Sequence, residues 1–460
     1  MVLEDNTFLK AEQITVENIE AIKYLLNKKV SELEQRHQDL IIISDEHYPE
    51  IKKSEIFKGY LTSKDDMSVS TTNVIGVLEF PNIENEEAKP TLISIGSRFD
   101  SSEKQYFLIY LLTHHLAGNV LNLDVPFSQE GIWDLILLFA FVEQMEQVYE
   151  KGFFKQYVTK YKEEYTYKGR LNIKRQIERN MPFIGKFSVV QREMTSDNII
   201  LWLLRYTTNH IERNYRGLWL NLISERTKLR EVMEAIKIAT PDYKQQKFHK
   251  LLSRCRYPIS HPFYQDYEKL RKTCLQILRN EGINPYTPGS GKLSGILFDV
   301  AWLWEKFMAK MLQTSVPYAF KNMGLREDES GILVFKNNKT KVYPDFVEAK
   351  KQIILDAKYK KWKLKNNSDD IHQILSYMFL TGAKIGGIVY PSQEPKNIKE
   401  RIIDNGDANI FLEIPYYIPD TQNEAFFMEM ADQKEIFVNN LMKNLELNLS
   451  TALYKKSKGT

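Results

Sequence analysis

Hydrophobic periodicity divides the chain into stretches of different character. Up to about residue 125, strand-like and helix-like runs mix. Leu40–Ile43, Val74–Phe80 and Thr91–Ile95 are rich in β-branched residues and read as strands, while Val16–Leu26 and Tyr106–Leu116 carry apolar residues at helical spacing. Ile83–Pro90, rich in Glu and Asn, is expected to be a loop. From about Gly131 to Asn280 the pattern turns mostly helical, with amphipathic stretches at Leu135–Lys151, Ile199–Ile211 and Leu229–Ala239. Breaks fall at Met181-Pro182, Thr240-Pro241 and His261-Pro262, because proline removes a backbone donor and restricts its predecessor. Asn284–Gly291, with Pro285 and Pro288, reads as a linker.

Beyond it the pattern predicts a helix over Ile296–Leu312, whose stripe of Leu297, Val300, Ala301, Trp304, Met308 and Met311 faces a core. A helix over Ile371–Thr381 follows, then strands at Ile385–Tyr390 and Ile410–Tyr417 and a helix over Phe426–Leu447. The polar end is expected to fray from Tyr454, and no internal repeat is present. The fold class expected is multidomain α+β: 1–125 a mixed α/β domain, 126–285 a helical middle domain, 286–395 a compact core, and 396–460 a strand and helix completing it.

The chemistry concentrates in two β-rich runs, Val342–Glu348 and Ile353–Tyr359, separated by the polar break Ala349–Gln352. A hairpin turn centred between Lys350 and Lys351 puts Asp345 opposite Asp356. Alternation then sets Lys358 on the face of Asp356, while Ile353, Leu355, Ala357 and Tyr359 turn the other way, toward a core. This polar spot is expected at the edge of an apolar sheet. Facing carboxylates repel unless a cation stands between them, and hard oxygen ligands suit Mg²⁺. Such an ion can activate water and stabilise charge on a phosphate, with Lys358 holding or deprotonating that water. This is nuclease chemistry; the plain alternative is a solvated hairpin with charged edges. The same spacing recurs at Pro419-Asp420 and Asp432-Gln433-Lys434, but there Phe426, Met430, Phe437 and Leu441 continue at helical spacing, which separates the acid from the lysine.

Neighbouring residues extend the candidate site. Glu305, on the flank of its helix, either completes the metal site from behind the sheet or touches water. Gln373 and Tyr377, one turn apart, share a stripe distinct from the core face of Ile371, Ile374, Leu375, Met378 and Phe379, and suit the orientation of a phosphate or a base; His372 is expected to be exposed. Lys358–Lys365 holds five lysines around Trp362, with Lys350 and Lys351 nearby. Lys360, Lys361, Lys363 and Lys365 either solubilise a strand edge or grip DNA phosphates with stacking help from Trp362, and the adjacent metal site favours DNA. A second basic segment, Lys168–Arg179, reads equally well as a solvated helix face. Pro288-Gly289-Ser290-Gly291-Lys292 approaches a phosphate-binding loop, but Tyr286 replaces its first glycine and no strand precedes it, so this chain is not expected to hydrolyse GTP itself.

Composition changes the picture in two places. The 460-residue chain carries 63 Lys and Arg against 60 Asp and Glu, so any hold on nucleic acid rests on local patches and not on bulk charge. Cys255 and Cys274 are the only cysteines, which argues against a disulfide framework or a zinc site. Met1–Asp5 does not begin a signal peptide, and the apolar run Leu135–Val142 is too short for a membrane span, so a cytoplasmic setting is the default expectation.

Tyr343-Pro344-Asp345, Asp356-Ala357-Lys358-Tyr359-Lys360 and Asp370-Ile371-His372-Gln373-Ile374-Leu375-Ser376-Tyr377 together resemble the nuclease domain of McrC proteins and the related LlaJI restriction endonucleases. Gly169-Arg170-Leu171, Gln176-Ile177-Glu178-Arg179-Asn180, Asp197-Asn198-Ile199-Ile200 and Leu203-Leu204-Arg205-Tyr206-Thr207 resemble the helical middle region of that family, and Ile95-Gly96-Ser97-Arg98-Phe99 a divergent form of its N-terminal strand motif. The resemblance implies a C-terminal PD-(D/E)XK nuclease fold, a central mixed sheet flanked by helices. It implies a Mg²⁺-dependent DNA endonuclease subunit of a GTP-dependent restriction complex, partnered by a hexameric AAA+ GTPase of McrB type that uses the GTP, with the 1–125 domain and the helical middle domain expected to dock onto that motor. By the same resemblance Asp345 and Asp356 hold Mg²⁺, Lys358 is the catalytic lysine, and Glu305 and Gln373 are accessory. Two alternatives stay open: a catalytically silent stalk that activates an AAA+ ring, against which the intact Asp345, Asp356 and Lys358 argue, and a helicase-coupled exonuclease, which Gln373 and Tyr377 also suit.

Overall fold

Short apolar runs far apart in sequence pair into the first sheet, and that pairing sets the architecture. The computed structural model describes all residues except 38–39, 44–49, 64–65, 82–89, 101–104, 118–128, 280–292, 319, 323–330, 338, 351, 405–408, 422–424 and 459–460. The expected loop at 83–90 falls outside the described residues except for Pro90, and the linker at 284–291 and the glycine-rich segment at 288–292 lie wholly outside them. The chain forms two units, Met1–Ile136 with Gly291–Thr460, and Leu137–Ser290. It is a multidomain α+β protein. No described helix is long and apolar enough to cross a membrane.

Among the described residues, the first unit contains a five-stranded sheet ordered Val2–Glu4, Thr91–Gly96, Val74–Phe80, Ser294–Asp299, Leu40–Ile43. Ser294–Asp299 is antiparallel to Val74–Phe80 and parallel to Leu40–Ile43, with all six residues buried. This corrects the expected Ile296–Leu312 helix: its first turn is strand, and the helix runs Val300–Ser315. The run Gly295-Ile296-Leu297-Phe298 is apolar throughout and fits either period, so pairing on both sides decides it. Gly295 is required there, since at its φ of +148° a Cβ would lie 2.1 Å from the Val77 carbonyl oxygen. Asp299 then starts the helix by accepting the Ala301 N–H at 2.8 Å.

The second sheet of this unit is ordered Phe320–Asn322, Phe346–Glu348, Ile353–Ala357, Ile385–Ser392, Ile410–Tyr417, Lys399–Ile402. Phe346 pairs with Leu355 and Val347 with Ile354, which carries Asp345 opposite Asp356 one step further on, the register expected from the turn. The sequence placed this spot at a sheet edge; the structure places it inside. Ile353–Ala357 is an interior strand, parallel to Ile385–Ser392 and covered on both faces. Ile354 packs with Ile374, Tyr377 and Met378 of the Ser368–Thr381 helix, while Tyr359, from the opposite face, meets Trp304 of the Val300–Ser315 helix. Gly386 lets the former helix lie close, because a Cβ there would stand 2.3 Å from Met378 Sδ. That helix buries Ile374 and Met378 with Ile371 and Leu375 packed beside them, as the sequence predicts, but the face is shifted: Tyr377 joins the core and Phe379 is left 87% exposed. The tail helix, Phe426–Lys458, holds Asp432 and Lys434 as its spacing predicts and continues past the expected fraying point.

The Leu137–Ser290 unit is less helical than expected. It contains a three-stranded antiparallel sheet of Gln156–Glu164, Phe187–Thr195 and Arg170–Leu171. Its open face carries Tyr157 and Tyr161, 63% and 56% exposed, so the strands lack the apolar-polar alternation that would have announced them. Glu163 clamps the Ile173–Asn180 helix onto this sheet by accepting hydrogen bonds from Arg175 Nε, Asn180 Nδ2 and Ser188 Oγ at 2.6–2.7 Å. Ser188, Asn180 and Arg175 together hold its carboxyl down to about 2. Lys168–Arg179 runs through that exposed helix and the short strand before it.

Because Ser294–Asp299 lies between two N-terminal strands, a chain beginning at Pro288 should not fold on its own, contrary to what an autonomous nuclease core would allow. Circular dichroism during heating should show no cooperative transition for that fragment and a sharp one for the full chain. A sharp transition in the fragment would contradict the pairing described.

Candidate active site

The hairpin register brings Asp345 and Asp356 together, and the interior position of their strand keeps water scarce. Asp356 is 1% exposed. Asp345 keeps part of its surface open, yet it is packed closely enough for desolvation to dominate its titration. Its Oδ2 accepts the Ala357 N–H at 2.7 Å, which ties the first strand's end to the second. Burial raises its pKa well above the ordinary aspartate value, with repulsion by Asp356 and then Glu305 adding to the rise. Burial also raises Asp356, against the pull of Lys358.

Lys358 is the cation at this spot. Its Nζ lies 2.7 Å from Asp356 Oδ2 and donates to Gln373 Oε1 at 3.1 Å. Burial disfavours its charge, but attraction by Asp356 and then Asp345 outweighs that and holds its pKa above the ordinary lysine value. The ammonium has donors only, so the Gln373 oxygen must face it and the amide nitrogen must turn away. That nitrogen donates to Tyr377 Oη at 2.7 Å. The three residues form one chain from Nζ to a phenol whose own O–H points onward. Burial raises the Tyr377 pKa, so the phenol keeps its proton.

Glu305 approaches from the other side of the sheet. Only 6% exposed, it is no flank residue touching water, because the Val300–Ser315 helix is buried around nearly its whole girth. Its charge acts on Asp345. Among the described residues, no three His, Cys, Asp or Glu side chains stand ready-made as a metal cage. Mg²⁺ does not need one: it commonly takes one or two carboxylates and fills its octahedron with water and substrate phosphate. Asp345 and Asp356, hard oxygen donors that repel in a dry site, fit such an ion.

The lysine run divides. Lys361, Lys363 and Lys365 are exposed, whereas Lys360 is ion-paired with Asp370. Trp362, expected to stack on bases, is buried at 5% and donates its Nε1–H to Glu413 Oε2 at 3.1 Å, so stacking help is withdrawn. Two segments that carry the resemblance, to whose residues the sequence assigns no part in the site, take part in it. Asp370 sits 4.0 Å from Lys358, and its spacing of three and seven from Gln373 and Tyr377, one face of a helix, is the available signal. Ser97 Oγ lies 2.6 Å from Tyr359 Oη, next to the lysine, while Phe99 packs edge-on against the same ring and the Arg98 guanidinium lies 5.3 Å from its centre. Arg98 in turn is bound to the buried Asp5, with Nε 2.9 Å from Oδ2.

The family described as McrBC 5-methylcytosine restriction system component matches residues 69–391. No curated protein matches the chain. Among solved structures, the chain is similar to one in a half-complex from the tetradecameric assembly of Thermococcus gammatolerans McrB AAA+ hexamers with bound McrC. Identity there is 16% over 97% of this chain and 99% of that one, at a TM-score of 0.44. A chain of the Thermococcus gammatolerans McrBC complex, solved by cryo-electron microscopy, is 14% identical over 68% of this chain and 87% of that one, at a TM-score of 0.26.

The raised pKa of Asp345 has a measurable consequence. A carboxyl that holds its proton more tightly when folded than when unfolded weakens the fold as pH climbs from the ordinary carboxylate range through its raised value. Asp345→Asn removes that penalty and keeps an oxygen for the Ala357 N–H. In chelator, the variant should therefore melt above the wild type, by more at about pH 8 than at about pH 5.5. Equal melting temperatures at both pH values would contradict the assignment.

Proposed function

The chain belongs to the family of McrBC 5-methylcytosine restriction system components, and on that premise we propose that it is the DNA-cleaving subunit of a GTP-dependent restriction complex. The observation that carries this reading is the convergence of Asp345, Asp356 and Lys358 at one buried spot of an interior strand. A PD-(D/E)XK nuclease fold is the assignment that the mixed sheet favours, with its helices on both faces and this hairpin at its centre. Asp345 and Asp356 would hold Mg²⁺, with Glu305 supporting from behind. When bound, the ion supplies Lewis acidity toward a phosphodiester and lowers the pKa of a coordinated water.

The chain's own residues have separate tasks. Lys358, the cation beside Asp356, serves as a positive donor to the water and the phosphate oxygens. Gln373 fixes the direction of that ammonium, and Tyr377 fixes Gln373. Lys361, Lys363 and Lys365 offer phosphate contacts beside the site. An AAA+ GTPase of McrB type is the partner, and the Leu137–Ser290 unit is the part assigned to docking. Exposed Tyr157, Tyr161, Tyr165, Tyr167 and Phe183 support that assignment, since such apolar surface marks a contact site.

The test is reconstitution with the AAA+ partner and measurement of GTP-dependent DNA cleavage. Asp345→Ala and Asp356→Ala should abolish cleavage while the complex still assembles. Lys358→Ala should also abolish it but retain metal binding. Asp420→Ala and Asp432→Ala, at the decoy spacing, should cleave normally. Near-normal cleavage by Asp356→Ala would sink the proposal.

A further inference from the structure

Lys358 faces more than one anion. Its Nζ lies 2.7 Å from Asp356 Oδ2 and 4.0 Å from Asp370 Oδ1, with Gln373 Oε1 accepting at 3.1 Å. Asp370 stands in the first turn of the Ser368–Thr381 helix, its side chain only 13% exposed. Its two oxygens are divided: Oδ2 is ion-paired with Lys360, and Oδ1 is the oxygen turned toward Lys358. A divalent cation on Asp356 would repel an ammonium that lies 2.7 Å from the same carboxylate. An ammonium pushed aside in a dry site needs another anion, because a buried unpaired charge is strongly destabilising.

We propose that Asp370 is a positioning residue that receives the Lys358 ammonium when a divalent cation binds Asp356, with Gln373 as the pivot. This rests on the metal reading of Asp345 and Asp356 given above. The displacement required is small: the ammonium passes from a partner at 2.7 Å to one at 4.0 Å while its bond to Gln373 persists. Lysine charge is thereby kept beside the reacting phosphate and does not obstruct the cation. Lys360 has the complementary part of neutralising the other oxygen, so that Asp370 itself tolerates burial.

Calorimetric titration of the full chain with Mg²⁺ alone, without DNA or partner, tests this apart from catalysis. Asp370→Asn should weaken Mg²⁺ binding about tenfold or more, as loss of an outer partner of a metal site does. Asp370→Glu should restore most of it, and all variants are checked for wild-type melting in chelator. In a Lys358→Met background, where no ammonium needs a place, Asp370→Asn should change the affinity by less than about twofold. An equal effect of Asp370→Asn in both backgrounds would overturn the inference, since Asp370 would then act without Lys358. So would wild-type affinity in Asp370→Asn alongside lost binding in Asp356→Asn, which leaves the metal reading standing. Undiminished binding in Asp356→Asn would remove the metal reading and this inference with it.

Discussion

Carboxylates forced together where water cannot reach them repel, and this chain builds its second sheet around that conflict. The hairpin register sets Asp345 against Asp356, the Val300–Ser315 helix adds Glu305 from behind, and Lys358 is the compensating charge within the site. Such an arrangement stores unfavourable energy that a purely structural core would replace with apolar residues. Neighbouring groups hold the charges in place: Ala357 N–H fixes Asp345, Gln373 fixes Lys358, and Tyr377 fixes Gln373. A site so constrained is suited to accept a divalent cation, which would relieve the repulsion that folding imposed.

The N-terminal sheet belongs to the same unit and bears on the same strand. Ser294–Asp299, inserted between Val74–Phe80 and Leu40–Ile43, leads directly into the helix that carries Glu305. At the far end of Thr91–Gly96, Ser97 and Phe99 grip Tyr359, the residue after Lys358, while Arg98 anchors that turn to Asp5. The elements that place the glutamate and the lysine are therefore supplied by both ends of the chain. Composition suggested separate N-terminal and C-terminal segments because it sees local character and not strand partners.

The hairpin was legible in the sequence because a short polar break between two β-rich runs leaves few registers, and the acids at 345 and 356 mark one of them. Ile385–Tyr390 and Ile410–Tyr417 were legible for a similar reason, as continuous apolar runs of strand length. Ser294–Asp299 was not, since its helix-or-strand choice is decided by partners some two hundred residues away. The sheet at Gln156–Thr195 was hidden by tyrosines and charges on its open face. Burial of Glu305 and the bond of Trp362 to Glu413 depend on tertiary packing, to which a count of lysines and aromatics is blind. Asp370 lay in plain view at helical spacing, but only the rotamer of Lys358 gives it a reason to matter.

The central claim is that Asp345 and Asp356 form one cation site that Lys358 neutralises and yields. Anomalous diffraction from crystals of the full chain soaked in Mn²⁺, compared with crystals kept in chelator, addresses it directly. The account expects an anomalous peak within bonding distance of both carboxylates, and Lys358 Nζ drawn from Asp356 toward Asp370. A peak elsewhere, or bound metal with the Lys358–Asp356 pair unchanged, would contradict it.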